Sequence, residues 1–132
     1  MKKLTASLVI VLFTLTALAQ NQANKTDGVK TERTESSTYR LFPTVNMWTF
    51  IKLNTRTGQM WQVQYDVKEN NRGEYRLNPL SLVTKEEETN GRFILYPTQN
   101  SYNFILLDQL DGGLWQVQWS IEPEKRLLLK MN

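Results

Sequence analysis

Apolar and polar residues alternate with a period of two along most of the chain from Tyr39 onward, as in strands that bury one face. In residues 60–67, Trp61, Val63, Tyr65 and Val67 fall on one side, and Met60, Gln62, Gln64 and Asp66 on the other. Residues 114–121 repeat this, with Trp115, Val117, Trp119 and Ile121 opposite Leu114, Gln116, Gln118 and Ser120. The tryptophan side of both strands is the expected core face. The strands just before them are apolar on both sides: Trp48 and Phe50 oppose Ile51 and Leu53, and Phe104 and Leu106 oppose Ile105 and Leu107. A strand of that kind must be covered twice, inside a closed or stacked sheet or at a subunit contact.

The pattern is written twice. Residues 41–67 align with 95–121 at an offset of 54 without a gap, and 12 of the 27 aligned positions are identical. One structural unit built twice is the expectation. Within each copy the two central strands are joined by a turn, Asn54-Thr55-Arg56-Thr57-Gly58 in the first and Asp108-Gln109-Leu110-Asp111-Gly112 in the second. Asn54 and Asp108 suit such turns because their side chains accept from backbone amides further round, and Gly58 and Gly112 can take the positive φ needed on re-entering a strand. Residues 39–42 and 93–96 read as strands ended by Pro43 and Pro97, which cannot donate to a ladder. Residues 75–82, interrupted by Pro79, and 126–131 are the candidate fourth strands. The predicted fold is all-β, about eight antiparallel strands in two repeats, 39–83 and 92–132, with 84–91 as a surface loop between them. It closes as a small barrel or stacks as a sandwich. The alternative treats each copy as one propeller-like blade, with the ring completed by oligomerisation.

The hairpin Leu53-Asn54-Thr55-Arg56-Thr57-Gly58 with Trp61-Gln62-Val63-Gln64, and Leu107-Asp108 with Gly112 and Trp115-Gln116-Val117-Gln118-Trp119, resembles small exported proteins of Bacteroidetes-type bacteria that carry tandem LDTxTGxxW-like hairpins. The second copy departs from that turn at Leu110 and Asp111. The resemblance covers most of the folded part and implies an exported β protein, with no activity attached. A similar turn occurs in repeats of quinone-cofactor propeller enzymes, but the likeness is confined to the turn, and no cofactor is expected.

The N-terminus changes the picture of compartment and charge. Lys2 and Lys3 precede an apolar run, residues 4–18, and Ala17-Leu18-Ala19 offers a signal-peptidase site, so residues 1–19 read as a signal peptide. The run is short of the ~20 residues that span a bilayer. With no cysteine there is no lipid attachment point, and the expected location is the periplasm or the exterior. Residues 20–38 are polar and read as a flexible leader, since too little of them can be buried to offset chain entropy. Lys2 and Lys3 are two of the 16 basic residues; their removal leaves 14 against 13 acidic ones. Charges of both signs are interspersed along the remainder, so no basic stripe is present for a phosphate backbone, and nucleic acid is not an expected partner.

The chain has neither cysteine nor histidine. That excludes disulfides, thiolate nucleophiles, Cys/His zinc sites and a Ser-His-Asp triad. Glu86, Glu87 and Glu88 are consecutive in a polar loop and do not face one another across a cleft as hydrolase carboxylates must. No catalytic residue and no metal site is expected. The candidate ligand-binding residues are Gln62, Gln64, Gln116 and Gln118, whose amides donate and accept without charge, with Trp48 and Tyr102 as rings at strand starts. The function read from these features is an exported, non-enzymatic binding or interaction module for carbohydrate or protein. The alternatives are a carbohydrate-binding lectin, a structural subunit of a cell-surface assembly with self-association through an apolar face, and a carboxylate-dependent hydrolase.

Overall fold

The computed structural model describes residues 37–132. The expected signal peptide, and all of the polar leader but Ser37 and Thr38, lie outside the described residues. Unit 1 comprises β1 (Tyr39–Pro43), β2 (Thr49–Asn54), β3 (Met60–Gln64) and β4 (Gly73–Asn78); unit 2 comprises β5 (Phe93–Pro97), β6 (Asn103–Asp108), β7 (Leu114–Gln118) and β8 (Leu127–Lys130). Each unit is a four-stranded antiparallel meander in sequence order. All four strand starts recur 54 residues on. So does the 3-10 turn before each last strand, Glu69–Asn71 and Pro123–Lys125, which carries the repeat beyond the span where the sequences align most closely.

Local chemistry reproduces each turn. Asn46 Oδ1 accepts from Trp48 N at 2.9 Å, and Asn100 Oδ1 from Tyr102 N at 2.9 Å. Asn54 Oδ1 accepts from Arg56 N and Asp108 Oδ1 from Leu110 N, each at 3.0 Å. Gly58 and Gly112 close those turns at φ 75° and 79°, a left-handed region where an L side chain is strained. They differ in surroundings. A Cβ on Gly58 would lie 2.7 Å from Leu82 Cδ1, whereas one on Gly112 meets nothing within 4 Å. Leu82 belongs to the connection between units, which straps the first turn through Leu82 N to Thr57 O at 2.8 Å. Gly112→Ala is therefore expected to cost only the left-handed penalty, about 1–2 kcal/mol, and Gly58→Ala more. Equal denaturant midpoints for the two variants would contradict the strap.

The two sheets are separate and stack face to face around one apolar cluster, so the molecule is a sandwich and the barrel alternative does not apply. The cluster takes Ile51, Leu53, Met60 and Leu77 from unit 1, and Phe93, Leu95, Phe104, Leu106, Val117 and Trp119 from unit 2. The sandwich reverses one expectation from the sequence. In unit 2 the core face is the tryptophan side of β7, as expected. In unit 1 it is the opposite side: Met60 and Gln62 are fully buried, while Trp61 and Val63 lie outward and only half-buried, with Tyr65 exposed beyond them. Both sides of β2 and β3 carry apolar residues, so alternation by itself does not choose between them. Pro79 ends β4 at Asn78 and does not sit within it. The segment between the units contains the 3-10 turn Lys85–Glu87, where Glu87 Oε2 accepts from Thr84 N at 2.9 Å.

Beside the core, the described residues hold one ion pair with both members buried. Arg92 Nε donates to Asp108 Oδ2 at 2.8 Å and its Nη2 lies 2.7 Å from the same oxygen, with side chains 6% and 1% exposed. Arg92 Nη1 donates to Glu87 O at 2.9 Å, so the guanidinium ties the second turn to the connecting segment.

Candidate functional site

The end of unit 2 where β6 begins and β7 ends carries a cleft of about 390 Å³. Its walls include Asn100, Tyr102, Asn103, Gln118, Trp119 and Lys125. The tight turn after Pro97 places Tyr102 at the rim, 55% exposed, with its ring centroid 5.3 Å from that of Trp119. Trp119 is held from behind. Its backbone N donates to Tyr102 O at 3.0 Å, and its indole Nε1 to Ser101 O at 3.0 Å. The amides are fixed as well: Gln118 Nε2 donates to Lys125 O at 2.9 Å, and Gln116 Nε2 to Asn103 Oδ1 at 2.7 Å. The site thus joins a half-exposed ring, braced by a second ring, to amide groups whose positions are already set. A second hollow of about 210 Å³ adjoins Tyr102 and is lined by Val45, Asn46, Tyr102, Trp119 and Ile121.

The sequence candidates separate. Tyr102 and Gln118 meet in the cleft, and Gln116 supports its wall through Asn103. Trp48 occupies the equivalent corner of unit 1, 40% exposed and 5.3 Å from Tyr65, and is not among the residues lining either cavity. Gln64 is half-buried on the inward side of β3. Gln62 is corrected outright: it is fully buried on the core face and cannot meet a ligand. Asn54, Gly58, Asp108 and Gly112 serve the turns, as expected.

Burial of Gln62 has a physical consequence. Neither its Oε1 nor its Nε2 has a hydrogen-bond partner among the described residues. In unit 2 the same amide is satisfied by Asn103, whose counterpart in unit 1 is Thr49, a side chain too short to play that part. An unsatisfied buried amide costs about 1–3 kcal/mol, so Gln62→Met is expected to stabilise the fold by an amount of that order. A denaturant midpoint that falls in this variant would mean that the amide is satisfied after all.

Asn100, Asn103, Asn46 and Lys125 were not singled out from the sequence. A signal was present for two of them, because Asn46 and Asn100 stand at the same identical position of the repeat. No group of three metal-ligating side chains assembles among the described residues. The carboxylates stabilise turns: hydrogen bonds from Thr84 hold Glu87 below the usual range, and the Asn71 side chain does the same for Asp66. Among the described residues no helix is long and apolar enough to cross a membrane. Comparison with protein-family models, curated proteins and solved structures returns no match.

Proposed function

We propose that the protein is an exported, non-enzymatic binding module that takes a neutral, hydroxyl-rich ligand of the saccharide class in the cleft of unit 2. The observation that carries this reading is the pairing of the Tyr102 ring with preset amides around one concavity. An aromatic face stacks against the C–H side of a sugar, and amide groups both donate to and accept from its hydroxyls. Such a site needs no charge and no metal. Fold alone would not choose a ligand class, which is why the reading rests on these side chains. Export through cleavage after Ala19 belongs to the same proposal, and N-terminal sequencing of the secreted protein tests it.

Ligand binding is tested by titrating a panel of neutral oligosaccharides while following tryptophan emission. Trp119 sits against Tyr102 and should report occupancy. Tyr102→Ala and Gln118→Ala are each expected to weaken binding about tenfold or more, the equivalent of ~1.4 kcal/mol. Leu110→Ala, in the exposed turn at the other end of unit 2, should leave it unchanged. If no neutral glycan binds, or if Tyr102→Ala binds as well as the parent, the proposal fails.

A further inference from the structure

The two repeats stack in the same sense. Unit 1 turns Ile51, Leu53 and Met60 inward, yet Ile105, Leu107 and Leu114, the residues 54 positions later, lie on the outer face of unit 2. Unit 2 turns Phe104, Leu106 and Val117 inward, yet Phe50, Lys52 and Val63 lie on the outer face of unit 1. The contact between units is therefore heterologous: one kind of face on unit 1 covers the other kind on unit 2. Each kind is left uncovered once, and the two uncovered faces are the homologues of surfaces that already fit each other.

We infer that the chain self-associates head to tail, with the outer face of unit 2 seated on the outer face of unit 1 of a second copy. A heterologous contact of this kind propagates, closing into a ring where the rotation allows.

The uncovered faces carry the composition of a contact. On unit 2, Leu114, Leu129 and Met131 are 36%, 52% and 44% exposed, with Ile94, Ile105 and Leu107 on the two strands beside them. That face is more apolar than its homologue inside the sandwich, having Ile94 where unit 1 has Arg40, Leu127 for Gly73 and Leu129 for Tyr75. A solvated face would show the opposite trend. On unit 1 the outer face offers Tyr39, Leu41, Phe50, Trp61 and Val63, with Glu74 and Arg76 confined to its β4 edge. Its one lysine at the centre, Lys52, is already paired with Glu74 and lies over the Trp61 ring at 4.7 Å, so it does not present an uncompensated charge. The hydrogen bond that crosses between units, Phe93 N to Thr55 O at 2.8 Å, has its homologue in Tyr39 N of a second copy and Gln109 O of the first. Repeating the same operation also sets Trp48, Tyr65 and Val67 of the second copy beside Asn100, as Tyr102, Trp119 and Ile121 stand beside Asn46.

The test is the mass of the purified protein in solution, by light scattering and sedimentation over a concentration series without added ligand. Asn103 and Gln118 of the cleft lie on this same outer face, so the saccharide titration belongs in the Leu41→Glu single chain, where the cleft stays open, and the two proposals fail separately. The parent is expected at a multiple of the single-chain mass. Leu41→Glu blocks only the unit 1 face and Leu129→Glu only the unit 2 face; at 60% and 52% exposure neither should disturb folding, which circular dichroism checks. Each variant alone is expected to fall to the single-chain mass. Mixed one to one, they retain a single productive pairing and should give a two-chain species that does not grow. A parent that stays single-chain throughout the series, an assembly that withstands either substitution, or a mixture that remains single-chain would each overturn the inference.

Discussion

Phe104→Ala is expected to lower stability by about 3–5 kcal/mol and Ile51→Ala by about 2–5 kcal/mol, because each opens a cavity in the intersheet core. Both side chains are buried, at 4% and 0% exposure. The same substitutions at the homologous positions, Phe50→Ala and Ile105→Ala, remove identical side chains from half-buried outer faces. They should cost no more than about 1.5 kcal/mol, the lower end of what full burial of such a side chain contributes. The resulting pattern is crossed, with the isoleucine sensitive in unit 1 and the phenylalanine sensitive in unit 2. Urea denaturation in the Leu41→Glu background reads it while the outer faces stay in water. Equal losses at Ile51 and Ile105 would show that the units do not stack in the described sense.

Arg92→Met should cost a similar amount, about 3–5 kcal/mol, because it strands the carboxylate of Asp108 in the interior. Unit 1 carries Thr38 and Asn54 at the homologous positions, so a neutral pair can support this turn. Accordingly the double variant Arg92→Met/Asp108→Asn should recover most of the loss, since the cost lies in the orphaned charge and not in the missing attraction. Burial pushes the Asp108 carboxyl up, but the Arg92 guanidinium and the backbone amides of Leu110 and Asp111 outweigh burial and hold it below its ordinary value of 3.8. A carboxyl depressed on folding stabilises above its ordinary value and loses that contribution as pH falls through the folded one. Parent stability is thus expected to decline below about pH 3.8, a decline that the double variant should show less of. Stability that is flat with acid in the parent, or an unrecovered double variant, would remove the pair from this role.

The one-dimensional pattern determined a great deal here. Period-two alternation placed the strands, and the 54-residue repeat showed that one unit is built twice. The Asn and Asp side chains with Gly58 and Gly112 located the hairpin turns, because turn chemistry acts within a few residues and needs no tertiary partner. The clustering of Tyr102 with Gln118 was half legible: both were candidates from their types, but Asn103, Trp119 and Lys125 join them only through strand pairing and the return of the chain after β7.

What the pattern misjudged was direction: it assigned the tryptophan side of both β3 and β7 to the core, and in β3 the other side is buried. β2 and β6 are apolar on both sides, and β3 and β7 have an aromatic side facing a Met-Gln or Leu-Gln side, so either face of each unit can serve as core. Stacking decides the matter, and two like units packed in the same sense must bury opposite faces. For that reason Gln62 is sealed in the core while its repeat partner Gln116 stands outward, bonded to Asn103. Two positions with the same residue and the same neighbours in sequence thus have opposite environments, because burial is a property of the contact between the units and not of the strand that carries them.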